Sequence, residues 1–77
     1  MENEVLKLLD LKSYENAEGN KIYYAVVYSS FEILERAYLS LENYTYLLNH
    51  IKDTDASKVF KRRYSRKTNN WRLVYIK

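Results

Sequence analysis

The hydrophobic and polar positions divide this chain into short elements. Val5 to Lys12 carries two patterns at once. Leu9 and Leu11 alternate with charges as a strand would, whereas Val5, Leu8 and Leu9 fit one helix face. The following stretch favours the strand. Asn16-Ala17-Glu18-Gly19-Asn20 holds the only Gly, and Ile22 to Tyr28 is an unbroken β-branched and aromatic run. Strand–loop–strand over residues 4–29 is the economical reading.

Ser29-Ser30 offers two continuations. As a turn, it leads into a third strand over Glu32–Leu39. As a cap with Glu32 as its capping-box partner, it starts a long central helix, with Leu34, Ala37, Leu41, Tyr44, Leu48 and Ile51 on one side. Ser40 decides for the break. It is a good N-cap, with Glu42 in the first turn, and predicts a helix over Leu41–Ile51. Asp53–Ser57 reads as a polar turn. Val59–Arg66 and Trp71–Ile76 then form a hairpin across Lys67-Thr68-Asn69-Asn70, where Asn tolerates left-handed backbone. The expected fold class is α+β: a small antiparallel β-sheet or OB-like barrel with one helix, in the order β-β-β-α-β-β. The alternatives are β-β-α-β-β with a long helix, and a winged helix.

Side chains alternate along strands. One hairpin face should therefore carry Phe60, Arg62, Tyr64, Arg66, Trp71, Leu73 and Tyr75. The other carries Val59, Lys61, Arg63, Ser65, Arg72, Val74 and Ile76. Neither face is cleanly apolar, which is unusual for a hairpin with one side in a core.

Charge sharpens this picture. Residues 58–77 contain eight basic side chains and no acidic one, while the preceding 57 hold all ten carboxylates and five cations. The net +3 thus conceals a polarised molecule, and a polarised molecule implies an anionic partner at its basic end. A chain of 77 residues makes one domain and buries only roughly 60% of its unfolded surface. There is no Cys, which excludes disulfides and thiolate metal sites and fits a reducing cytoplasm. One His and scattered carboxylates predict no metal or cofactor. No apolar run reaches the roughly 18 residues of a membrane span, and the acidic Met1–Glu4 segment is unlike a secretory signal.

Nine of the twelve aromatics are Tyr, which serves a thin core and a binding surface alike. Packing on the helix is the plainer account of Phe60, Tyr64, Leu73 and Tyr75. The cations exceed what solubility requires. The predicted binding set is Lys58, Lys61, Arg62, Arg63, Tyr64, Arg66, Lys67, Trp71, Arg72 and Tyr75, with Trp71 partly exposed beside the turn. If these cations instead pack on the acidic body, Glu32, Glu35 and Asp55 are their natural partners. His50 lacks companions for catalysis. Ser29-Ser30 lacks a nucleophile-elbow context, and a single Gly cannot build a phosphate loop. An enzyme is not expected.

The element order resembles that of the OB-fold. The Gly-centred loop before an aromatic strand (Gly19–Tyr24) and the closing basic strand (Trp71–Lys77) resemble the very small single-strand-binding proteins of bacterial viruses and mobile elements. That resemblance implies a non-enzymatic protein binding single-stranded DNA or RNA. A winged helix fits less well, because Leu41–Ile51 has no Lys or Arg to meet phosphates. The rival reading is a small viral or mobile-element inhibitor whose basic hairpin docks on an acidic host protein. Both readings leave room for a homodimer and need no membrane.

Overall fold

The computed structural model describes residues 3–76. It has an α+β fold. Strands β1 (Leu6–Glu15), β2 (Lys21–Ser29) and β3 (Ile33–Leu39) precede helix α1 (Leu41–Asn49). A short helix α2 (Ala56–Val59) then leads into β4 (Phe60–Ser65) and β5 (Asn70–Tyr75). The first three strands form an antiparallel sheet in sequential order, and β4 and β5 form a separate two-stranded sheet. Strands β3 and β5 lie close without a hydrogen-bonded ladder, so the described residues form no closed barrel.

The double pattern near the N-terminus has a structural cause. Leu8 pairs with Val27 and Asp10 with Val26, which leaves Leu9 as a β-bulge. A bulge adds one residue and resets the alternation. Leu6 and Leu8 face inward before it, and Leu11 after it. The sequence therefore shows neither clean strand parity nor a true helix face. At the far end of β1, Gly19 takes a φ of 82°, which Gly adopts without the strain a Cβ would bring.

The Ser29-Ser30 corner is a turn, as the broken version expects. Ser29 is buried; its hydroxyl accepts from the Phe31 amide at 3.1 Å and donates to the Glu4 carboxylate. Ser30 Oγ accepts from the Val5 amide at 2.9 Å. The two serines thus secure the chain entering β1. Ser40 caps α1, its Oγ accepting from Asn43 N at 3.2 Å.

Three expectations need correction. Helix α1 ends at Asn49, and residues 56–59 are helical where a turn and a strand start were expected. Asp55 caps this extra turn by accepting from Ser57 N at 3.0 Å. Ser57 Oγ in turn accepts from Leu6 N at 2.8 Å, which ties α2 to β1. The hairpin turn also sits one residue earlier than expected. Ser65 pairs with Asn70, and Asn69 takes the left-handed position at φ 57°.

The core is small. Leu6, Leu11, Ala25, Val27, Ala37, Leu47, Ala56, Phe60 and Leu73 are buried together, so each sheet turns one face toward Leu47 of α1. The radius of gyration is 12.9 Å, against about 11.5 Å for a compact chain of this length. The molecule is elongated, with a longest extent of 44 Å.

Candidate nucleic-acid interface

The ladder from Phe60↔Tyr75 through Arg62↔Leu73 to Tyr64↔Trp71 sets the hairpin faces, and the partition is the one that alternation predicts. Its inner face changes character along its length. At the proximal end Phe60 and Leu73 are buried in the core. Tyr75 packs edge-on against Phe60, ring centroids 5.5 Å apart. Burial, and then the neighbouring Tyr46 phenol, pushes the Tyr75 phenol above its usual value. At the distal end Tyr64 and Trp71 repeat the edge-on pair at 5.6 Å, but Trp71 is 66% exposed and Tyr64 is 48% exposed. The Tyr64 hydroxyl donates to Asn69 Oδ1, which fixes the ring beside the turn.

Arg62 lies between these ends and explains why the inner face is not purely apolar. Its Nε donates to Glu4 Oε1 at 2.8 Å, and a terminal nitrogen donates to Glu4 Oε2 at 2.6 Å. That same terminal nitrogen pairs with Glu35 Oε1 at 2.5 Å. Fork-to-carboxylate geometry of this kind is among the stronger polar contacts in proteins. The Arg62 hydrogen bonds, followed by the one from Ser29, hold the Glu4 carboxyl below its ordinary value against the opposing effect of burial. The two carboxylates likewise raise the Arg62 guanidinium. This group joins the N-terminal segment, β2, β3 and β4. Glu35 is one of the acidic partners the sequence suggests for a packed cation; Glu4 is not.

The outer face of the hairpin carries Lys61, Arg63, Arg72 and Val74. Arg63 stands directly opposite Arg72 on the ladder, and both are exposed. Directly opposed like charges destabilise a strand pair. Arg66 and Lys67 lie in the exposed turn.

The ten predicted residues thus separate. Lys61, Arg63, Tyr64, Arg66, Lys67, Trp71 and Arg72 gather on the distal part and outer face of the hairpin. Arg62 and Tyr75 pack inward. Lys58 lies in α2 beside a cleft of about 290 Å³ shared with His50, Asp53 and Asp55. The His50 ring stacks against Tyr46 at 4.4 Å. Among the described residues no group of three His, Cys, Asp or Glu could hold a metal ion, and no helix is long and apolar enough to cross a membrane.

A second surface escapes sequence reasoning. The side of the three-stranded sheet that faces away from the core carries Lys12, Tyr14, Tyr24, Val26, Tyr28, Leu34, Arg36 and Tyr38. Tyr24 contacts Tyr14 at 5.9 Å and Tyr38 at 6.0 Å, and the Arg36 guanidinium lies 4.6 Å above the Tyr24 ring. The available signal was β2 itself. Ile22 to Tyr28 is large and apolar at nearly every position, so both of its faces have work to do.

No protein-family model matches the chain, and no curated protein or solved structure is significantly similar to it.

Proposed function

We propose that the protein is a non-enzymatic, cytoplasmic binder of single-stranded DNA or RNA, with the distal hairpin as its contact surface. The observation that carries this reading is the pairing of Arg63 with Arg72 directly across the ladder, one position along from an exposed Tyr64–Trp71 pair on the opposite face, so that a strand wrapping the distal hairpin meets both. A polyphosphate relieves the repulsion between the two guanidinium groups. Unpaired bases find an open indole and phenol on which to stack. Lys61, Arg66 and Lys67 extend the cationic surface around the turn. Arg62 takes no part, because Glu4 and Glu35 neutralise it. The β-β-β-α-β-β element order is the one an OB-like arrangement uses, and that is the support the fold lends this reading.

Fluorescence of Trp71, the only Trp, tests the reading. Oligo-dT is expected to quench it and duplex DNA to do so less. The binding constant should fall with a slope near −3 in log K against log salt, given about −0.7 per phosphate contact and about four contacts. Emission unaffected by oligonucleotide at low salt overturns the proposal. It would leave the hairpin as a docking surface for an acidic protein.

A further inference from the structure

We infer that the tyrosine-bearing outer face of the three-stranded sheet continues the nucleic-acid path beyond the hairpin, with Tyr14 and Tyr38 as base platforms and Lys12, Arg36 and Arg72 as phosphate contacts. The inference rests on the hairpin reading and gives its ligand a direction and a length.

Three observations carry it. The first is continuity. Tyr38 on β3 and Arg72, Leu73 and Val74 on β5 line one cleft of about 130 Å³. Arg72 belongs to the cationic row of the hairpin, and Tyr38 belongs to the sheet's outer face. Among the described residues, those four are the ones that line the cleft.

The second is the state of the rings. Tyr24 sits in the middle of the three tyrosines and is only 8% exposed, covered by Arg36. Tyr38 is 57% exposed and Tyr14 41% exposed. The phenols of Tyr14 and Tyr38 hydrogen-bond to each other beside this central ring, and both outer rings keep a large exposed area. Tyr side chains contribute large contact area with little entropy to lose, and base stacking on such rings is tolerant of sequence.

The third is charge. Lys7, Lys12 and Arg36 point to this side of the sheet, and Lys61, Arg63 and Arg72 to the outer face of the hairpin, which Arg72 joins to Tyr38 at the shared cleft. The strand positions on this side offer one acid in return, Asp10, whose carboxylate accepts from the Leu11 amide at 2.8 Å. Glu35 borders the shallow groove beside Lys12 and Arg36, but its carboxylate pairs with Arg62. Cations alternating with flat rings suit a polyanion carrying unpaired bases. A protein partner matched to apolar surface alone would leave those cations without counter-charges.

The test compares a short oligo-dT of about 5 nucleotides with one of about 15, lengths that bracket a single small-domain site. The longer oligomer is expected to bind more tightly per molecule to the wild-type protein. Tyr38→Ala and Tyr14→Ala should each weaken the longer one by about fivefold to 150-fold and leave the shorter one unchanged. Lys12→Gln should flatten the salt slope by about 0.7 for the longer oligomer only. Circular dichroism checks the fold of each variant; both tyrosines are exposed on the sheet's outer side. If all three variants bind the longer oligomer like wild type while Trp71→Ala fails to bind, the extended path is wrong and the hairpin reading stands. If wild type binds neither oligomer, both fall. Concentration-dependent dimerisation that Tyr38→Ala abolishes, with oligonucleotide binding intact, would assign this face to a second copy of the chain and overturn the inference.

Discussion

The two ends of the β4–β5 hairpin are built from the same kinds of residue and are put to opposite uses. Each end has an edge-on aromatic pair, Phe60–Tyr75 at 5.5 Å and Tyr64–Trp71 at 5.6 Å. Consecutive arginines divide in the same way. Arg62 points inward to two carboxylates, and Arg63 points outward to face Arg72. What separates the ends is what lies beneath them. The proximal half has Leu47 of α1 and the N-terminal segment below it, whereas at the distal half Tyr64 and Trp71 stay outside the buried cluster. Residue type therefore does not assign a role in this molecule. The position along the ladder does.

The aromatic pairs should show the contrast most strongly. Phe60 is 1% exposed, so Phe60→Ala leaves a cavity in a core of nine buried side chains. The expected loss is about 3–5 kcal/mol. A domain this small has roughly 4–12 kcal/mol in total, so the variant should be largely unfolded or melt far below wild type. Trp71→Ala should cost less than about 1.5 kcal/mol of stability, the value of its ring contact with Tyr64. Its loss should appear in oligonucleotide affinity instead, by about 1–3 kcal/mol. Thermal melts of both variants, read beside a titration, check the pair. Equal destabilisation would erase the distinction between the ends.

The arginines come next. Arg62→Ala leaves Glu4 and Glu35 partly enclosed and facing one another without a cation. Both carboxylates keep some contact with water, which lowers the cost below that of a fully buried pair. The expected destabilisation is about 2–3 kcal/mol by denaturant melt. Arg63→Ala should lie within about 0.5 kcal/mol of wild type, or be slightly more stable, because it removes the repulsion with Arg72. It should nevertheless weaken binding and flatten the salt slope by about 0.7. A binding defect in Arg62→Ala without loss of stability would place that side chain on the ligand surface.

The same comparison shows how much was legible. Element order followed from local signals: the Gly19 loop, the Ser29-Ser30 turn, the Ser40 cap and the Asn69 turn each have a chemistry that acts within a few residues. Hairpin parity followed from alternation. The sign and segregation of the cations were plain, and so was the pairing of a hairpin arginine with Glu35 as one option. What stayed hidden depends on contacts distant in sequence. Arg62 and Glu4 lie 58 positions apart, and nothing local distinguishes Arg62 from Arg63. The tyrosine face needs the register of three strands before Tyr14, Tyr24 and Tyr38 become neighbours. The Leu9 bulge obscured β1 because it breaks the parity on which strand recognition relies. Helix α2 is too short to show a period, and its cap, Asp55, also reads as an ordinary turn residue.

The smallest expected effect is on pH dependence, and it isolates the anchored end. The Glu4 carboxyl is held below its ordinary value of 4.5, first by its hydrogen bonds from Arg62. A carboxyl with a depressed folded-state value stabilises the fold above its unfolded value. That contribution is lost as pH falls through the folded value. Wild type should therefore lose stability as pH drops below about 4.5, through protonation of Glu4 among other groups. Glu4→Gln lacks this titration. It should be less stable than wild type at neutral pH, and the gap between the two should narrow as the medium becomes acidic. Arg62 contributes no pH dependence of its own in this range, since its guanidinium stays charged throughout. Parallel melting curves from pH 7 to about pH 3 check this. A gap between wild type and Glu4→Gln that stays constant over the whole range would mean that the Glu4–Arg62 contact does not hold the proximal end, and the contrast between the two halves of the hairpin would rest on the aromatic pairs alone.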